Sequence, residues 1–203
     1  EKPVTSGDTV VDVGAAWGAV AEQLAKAVGP DGTVYAIEPD PRWAYELGVL
    51  AQKYPQTRHV PLAADAVLQE RTFYQAITQS RNSLWPANLP AKDPGTPIQV
   101  RTLTLDQWFP EQTIAAVKID TQGAEVAILQ GAQNLLRRCP CWVVEVWPEG
   151  LQHAGTTAAQ LYALLTEAGL TCWMPNGSVM GPEVGSKLDT ELGERFFNLV
   201  ATR

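Results

Sequence analysis

The stretch Thr9 to Gly18, TVVDVGAAWG, limits what this chain can fold into more than any other. Thr9, Val10, Val11 and Val13 have the β-branched composition of a strand covered on both faces. Asp12 interrupts the run near its end, where a carboxylate is placed to face a ligand. Gly14 and Gly18 allow a sharp turn and close backbone approach to a bound molecule. A helical pattern follows at once, with Val20, Leu24, Ala27 and Val28 sharing a face, and Gly29-Pro30 ends it. The second strand, Thr33 to Ile37, runs into Glu38 and Pro39. An acid there, about 20 residues past the glycine turn, is placed to hold the two hydroxyls of a ribose. Strand, turn, helix, strand and acid together predict a β–α–β nucleoside site. The alternative is a glycine turn with a surface glutamate and no ligand.

The turn chemistry narrows the nucleoside. A pyrophosphate site favours G-x-G-x-x-G, but those positions hold Gly14, Ala16 and Ala19. The pattern D-x-G-x-x-x-G instead suits S-adenosylmethionine, which has no phosphate. Its amino-acid end offers an ammonium to an acid and a carboxylate to turn N–H groups. A short-chain dehydrogenase also needs a tyrosine four residues before a lysine. None of the 5 tyrosines is so placed.

At 203 residues the chain has the length of one α/β domain, taken as 1–203. Its net charge of −7 and lack of a lysine- or arginine-rich block argue against nucleic acid as a partner. No apolar run has the length of a membrane span, and no signal peptide opens the sequence. The chain starts at Glu1 with a strand close behind, so a preceding segment removed by processing or by choice of boundaries is expected. The 3 cysteines, Cys139, Cys141 and Cys172, form no C-x-x-C pair, and there are 2 histidines. That composition argues against a zinc site and predicts free thiols in a reducing cytoplasm. A divalent metal at Asp120 and Glu145 would have two carboxylates and leave most of its ligands to water and substrate, so none is expected.

Past Glu38, Asp40 and Pro41 predict a cap and first turn for a helix carrying Trp43, Leu47, Leu50, Ala51 and Tyr54 on one face. Arg58 to Ala63 reads as a third strand near an edge, because it contains Pro61. The loop after it, Ala64-Asp65, falls beside the adenine in a doubly wound sheet, where Asp65 can accept from the exocyclic amine or remain a solvated aspartate. Residues 68–97 form an irregular insertion rich in proline, aromatics and arginine. It reads either as a substrate lid or as a surface excursion with an extra strand at Thr72 to Gln75. Ile98 to Leu103 predicts another strand, followed by a T-x-x-Q cap at Thr104 and Gln107.

The second informative stretch is IAAVKIDTQGAEVAILQGAQNLL. Ile114 to Ile119 predicts a buried parallel strand with Asp120 at its carboxyl end, where open α/β sheets bind ligands. One helix is expected from Gly123 through Leu135, with Gly131 packed closely on the sheet. Cys141 to Val146 predicts the next strand, Thr157 and Gln160 cap a further helix, and Thr171 to Met174 and Phe196 to Ala201 read as closing strands. Lys118 and Glu145 each interrupt an apolar strand, and unpaired buried charges are costly, so the two are expected to pair if their strands are neighbours.

VVDVGAAWG, VYAIEPDP and VKIDTQGAEVAILQGA together resemble the FkbM family of S-adenosylmethionine-dependent methyltransferases. The resemblance runs from Gly7 to about Val146, and the family usually has a glycine where this chain has Ala16. It implies a Rossmann-like class I α/β fold, a mostly parallel seven-stranded sheet with helices on both faces and its last strand antiparallel. It also implies O-methylation of a hydroxyl on a sugar, polyketide or similar small metabolite, with S-adenosylhomocysteine as product. By resemblance Asp12, Gly14, Ala16 and Gly18 match the first cofactor motif, and Glu38 matches the ribose acid. Ala64 and Asp65 match the adenine loop, and Asp120 the acid beside the transferred methyl group. With Ala15 and Pro39 these make the expected cofactor site.

Transfer to oxygen needs the hydroxyl held in line and a place for its proton. Asp120 is the first candidate base, Glu145 the second and His153 the third; the competing role for Asp120 is to orient the cofactor or cap the following helix. His59 reads as an isolated strand histidine. A base-amine methylase of this fold would carry an N-P-P-Y-like run where this chain has Asp120-Thr121-Gln122-Gly123. The competing function is a binding module that keeps the cofactor pocket without turnover.

Overall fold

The computed structural model describes residues 4–77, 81–181 and 196–203. The predicted opening unit forms as β1 (Thr9–Val13), α1 (Ala19–Val28) and β2 (Thr33–Ile37). After a 3-10 turn at Pro41–Trp43 come α2 (Ala44–Lys53) and β3 (Thr57–Val60). Asp40 caps the 3-10 turn by accepting from the Arg42 backbone N–H at 2.9 Å.

Next come β4 (Ala63–Ala64), β5 (Glu70–Gln75), β6 (Thr96–Leu103), α3 (Leu105–Trp108) and β7 (Ala116–Ile119). The chain closes through α4 (Glu125–Gln130), α5 (Gln133–Arg138), β8 (Cys141–Val146), α6 (Pro148–His153), α7 (Ala158–Glu167), β9 (Thr171–Trp173) and β10 (Phe197–Thr202).

Seven strands lie in the order β3-β2-β1-β7-β8-β10-β9. From β3 to β8 all neighbours are parallel, and β10 runs antiparallel to both β8 and β9. The chain winds outward through β1, β2 and β3, then returns to place β7 on the other side of β1. At that reversal the connecting loops leave in opposite directions and open a crevice at the carboxyl ends of the strands. Val13 faces Ile37 on one neighbour and Ile119 on the other, so Gly14, Glu38 and Asp120 emerge side by side.

Alternation along the strands supplies two cores. Val11, Val13, Val117, Ile119, Trp142 and Val144 pack with α4, α5 and α7. Val10, Val34, Ala36 and Ala116 pack with Ala21, Ala25 and Val28 of α1 and Leu47 and Leu50 of α2. The α7 N-terminus carries the complete Thr157–Gln160 capping box. Thr104 Oγ1 accepts from the Gln107 N–H at 3.2 Å, giving α3 its side-chain cap.

Four expectations change. The third strand stops at Val60, and Ala63–Ala64 instead pairs in parallel with β6 in a separate three-stranded sheet of order β4-β6-β5. The insertion is therefore more regular than its composition suggests, with β5 and β6 paired antiparallel from Glu70–Arg101 to Gln75–Thr96. The helix expected from Gly123 breaks after Gln130, because Asp106 captures the Asn134 and Leu135 N–H groups at 2.9 and 2.8 Å and starts a new helix there. Gly131 packs not on the sheet but on the Asp65 backbone, whose carbonyl oxygen lies 2.3 Å from where a Cβ would stand. Finally, Lys118 does not pair with Glu145; its ammonium lies 3.4 Å from Asp12 and 3.3 Å from Asp120. Lys118 is in register with Val143, two residues short of Glu145, while Asp12 stands directly across β1 from it.

No helix among the described residues is long and apolar enough to cross a membrane. Cys139 and Cys172 are free thiols, both buried.

Candidate functional site

A cavity of about 500 Å³ opens at the sheet reversal. One wall is the turn after β1, where Gly14 lies against β7. A Cβ at Gly14 would stand 1.9 Å from the Asp120 carbonyl oxygen, so only a hydrogen fits there. Ala16 takes φ +47°, the left-handed conformation for which glycine is usual. In this geometry its N–H donates to Glu38 Oε2 at 2.9 Å, while the Asp40 N–H donates to Oε1 at 2.9 Å. Glu38 thus fixes the glycine turn and the loop after β2 together. Burial pushes its carboxyl up to about 7, against the lowering effect of those two N–H groups.

Apolar side chains floor the cavity: Val13, Ile37, Leu62, Ala63, Ala64 and Phe73. The opposite wall is Asp120, Thr121, Gln122 and Glu145, with Trp147 and Phe196 beyond them. The loop after β7 is held from beneath by Glu125, which sequence reasoning did not single out. This buried carboxylate accepts from Thr121 N and Oγ1 at 2.9 and 3.0 Å and from Gly123 N at 3.0 Å. From the insertion, Ser83 Oγ and Asn88 Nδ2 donate to the Gln122 carbonyl at 2.8 and 2.7 Å. Gln122 is held at φ +56°, a strained conformation that its surroundings impose. Its side-chain amide reaches Asp120 Oδ1 at 3.2 Å and Glu145 Oε2 at 2.7 Å.

Of the predicted cofactor residues, Gly14, Ala16, Glu38, Pro39, Ala64 and Asp120 line the cavity. Asp12, Ala15, Gly18 and Asp65 do not. Asp12 is fully buried on the α1 side of the sheet and faces Lys118. Burial raises the Asp12 carboxyl, with the Lys118 charge opposing that rise. Gly18 precedes α1 and packs on Leu47 and Leu50. Asp65 has its carboxylate occupied by Arg71 at 2.8 Å and by the Ala66 N–H at 2.7 Å.

Among the candidate bases, Asp120 and Glu145 line the cavity and His153 does not. His153 Nδ1 meets Asn88 Oδ1 at 2.8 Å, in a second groove behind the insertion. His59 lies under the loop after β2, with Nε2 3.1 Å from the Glu38 carbonyl. Burial, then the charges of Asp120 and Glu125, push Glu145 up to about 8.

The insertion is anchored to the donor side by Asp40, which accepts from Arg42, Gln75 and Asn82. Despite its burial, Asp40 is held below the usual carboxylate range by these bonds, those from Arg42 foremost. Arg81, Asn82 and Leu84 then reach the cavity, and the Arg81 guanidinium stacks 5.2 Å from the Trp147 ring centroid. The sequence signals for these contacts were faint. Glu125 sits among apolar helical positions, and Asn88 lies in an irregular proline-rich run.

The strand order, the antiparallel last strand and the crevice at the reversal define a class I S-adenosylmethionine-dependent methyltransferase fold. Solved structures agree. A fibrillarin from Aeropyrum pernix, with natively bound S-adenosyl-L-methionine, aligns at TM-score 0.54 and 11% identity, over 100% of this chain and 69% of that one. An rRNA methylase from Streptococcus thermophilus aligns at TM-score 0.51 and 11% identity, over 98% and 89%. An S-adenosylmethionine-dependent O-methyltransferase from Thermotoga maritima aligns at TM-score 0.51 and 14% identity, over 98% and 60%. At these identities the likeness is one of fold. A comparison with curated protein sequences found no match.

The methyltransferase FkbM domain matches residues 12–170, and the chain belongs to that family. Its cofactor is S-adenosylmethionine. The cavity fits that molecule: a volume suited to a small ligand, an apolar floor for a purine, a carboxylate beside a glycine turn, and an acidic wall for a sulfonium.

Proposed function

We propose that this protein transfers a methyl group from S-adenosylmethionine to a hydroxyl of a small-molecule acceptor. The observation that carries the reading is the meeting of Gly14, Glu38 and Asp120 on one cavity, with the carboxyls of Asp120 and Glu145 on the wall away from Glu38. Glu38 would hold the ribose, the Val13, Ile37, Leu62 and Ala64 floor the adenine, and Gly14 and Ala16 the amino-acid end. When bound, the cofactor supplies a methyl group already made electrophilic by its sulfonium. The chain's own work is then to hold the acceptor oxygen in line and to take its proton. Asp120 is the proposed base, with Glu145 beside it. The contacts of Ser83 and Asn88 with the Gln122 carbonyl, and of Arg81 with Trp147, support a lid role for the insertion (68–97) on a single domain.

A small acceptor is supported by the recessed position of the acidic wall and by the net charge of −7, which opposes a polyanion. The test is a screen of hydroxyl-bearing metabolites with methyl-labelled cofactor. Label should pass to an acceptor, and Asp120→Asn should abolish the transfer while leaving cofactor binding measurable by calorimetry. Full turnover by Asp120→Asn would remove Asp120 as the base.

A further inference from the structure

Four ionisable side chains from three adjacent strands meet at the acidic wall. Asp12 comes from β1, Lys118 from β7 with Asp120 just past its end, and Glu145 from β8. Lys118 Nζ bridges Asp12 Oδ1 at 3.4 Å and Asp120 Oδ2 at 3.3 Å. Among the described residues neither oxygen of Asp12 has a hydrogen bond meeting ordinary geometric limits, and Lys118 is the cation it faces. Paired as ions, Lys118 and Asp12 cancel. On the other oxygen of Asp120, Gln122 Nε2 donates at 3.2 Å and also reaches Glu145 Oε2 at 2.7 Å. One amide nitrogen thus bridges the Asp120 and Glu145 carboxyls and holds them side by side on the cavity wall. Two carboxyls sharing a site repel as ions, which favours one proton held by the pair.

With that proton the pair carries one negative charge, and without it two. We propose that Asp120 and Glu145 act as one proton-sharing pair whose charge follows the donor: two negative charges opposite S-adenosylmethionine, one once the acceptor's proton has arrived. The proposal rests on the reading of the cavity as the donor site. In the transfer the acceptor O–H bond breaks and an O–CH3 bond forms, while the C–S bond opens onto sulfur. The freed proton lodges on the pair. Positive charge leaves the sulfur as negative charge leaves the carboxyls, so no net charge is created in the buried site.

Other groups face the pair from the elements packed on it. They are Glu125 beneath Thr121, Glu38 across the cavity beside Asp40, and Arg81 from the insertion; Asn198 of β10 stands opposite Glu145 in register. Glu38 titrates too, but its proposed ribose contact is common to both forms of the cofactor, so comparing them removes it.

The test uses calorimetry with S-adenosylmethionine and S-adenosylhomocysteine from pH 6 to 9. An opposite charge nearby shifts a carboxyl by a unit or more. The preference of the wild type for the sulfonium form should therefore rise roughly tenfold as pH increases and the pair loses its proton. In Glu145→Gln that rise should vanish, and the ligands' own titrations cancel in this comparison. Asp120→Asn should lose it likewise, which gives a second reading should Glu145→Gln fail to fold. In buffers of different ionisation enthalpy, the wild type at pH 8 should release part of a proton on binding the sulfonium form and not on binding its product. Identical pH dependence in wild type and variants overturns the pair. Failure of the wild type to bind S-adenosylmethionine overturns the donor reading, and the pair with it.

Discussion

The two halves of the cavity are built by different means. The donor half is local: Gly14, Ala16 and Glu38 lie within one β–α–β unit, and the working contacts are backbone N–H groups meeting one carboxylate. The acceptor half is assembled from distant segments. Asp120 and Gln122 follow β7, Glu145 lies on β8, Ser83 and Asn88 come from the insertion, and Asn88 also touches Gly150 and His153 of α6. A common ligand needs a common, compact frame. A variable acceptor is served by a frame whose parts can change independently, and by loops carried on a rigid sheet.

The sharpest way to break this contrast is at a backbone contact between the halves. Gly14→Ala puts a Cβ 1.9 Å from the Asp120 carbonyl oxygen at φ +77°. Overpacking and left-handed strain together should cost about 3 kcal/mol. That should lower the thermal midpoint by roughly 10 °C and impair both halves at once. A midpoint like that of the wild type would show that the turn and β7 separate freely.

Next in size is Glu38→Ala, which removes the partner of the half-buried Ala16 and buried Asp40 N–H groups along with the proposed ribose contact. Affinity for S-adenosylmethionine should fall roughly 100-fold in calorimetry. A loss under threefold would detach Glu38 from the donor.

That difference also decides what could be read from residues alone. β1, the glycine turn, β2 and Glu38 announce themselves because contacts between near neighbours leave a spacing in the sequence. The apolar run at Ile114 to Ile119 placed Asp120 at the sheet's carboxyl edge for the same reason. What escaped depends on register between strands far apart in sequence: the pairing of Lys118 with Asp12, the capture of Asp65 by Arg71, and the hub at Asn88. The break between α4 and α5 escaped too. Helical periodicity continues across Gly131, and only Asp106, from α3, caps the new helix.

Asn88→Ala sharpens the comparison from the acceptor side. It leaves the Gln122 and Gly150 carbonyls short of a donor and should cost about 1–3 kcal/mol in thermal or chemical denaturation. Cofactor affinity should stay within about threefold, because no donor-side residue loses a partner. A loss approaching that of Glu38→Ala would make the two halves one unit.

The pH dependence of stability separates the halves more gently. Glu38 and Glu145 ionise near 4.5 when exposed but at about 7 and about 8 when folded. Between those limits the folded state binds more protons than the unfolded one, so stability should fall as pH rises from about 5 to 8. Glu145→Gln should flatten the upper part of that fall and leave the lower part to Glu38. An unchanged slope in the variant would remove Glu145 as its source.

The smallest expected effect lies inside the donor half. Ala16 holds φ +47° where the family usually has glycine, so Ala16→Gly relieves left-handed strain of about 1–2 kcal/mol. The added freedom of glycine in the unfolded chain offsets about 0.4–1 kcal/mol of that. The net should be a gain of about 1 kcal/mol or less, a rise of a few degrees in the thermal midpoint. Cofactor affinity should barely move, because the Ala16 N–H already points at Glu38 in the strained form. If affinity instead rises with stability, the strain at Ala16 is relieved in the free protein and reimposed on binding. The donor half would then owe its shape to the ligand rather than to the chain.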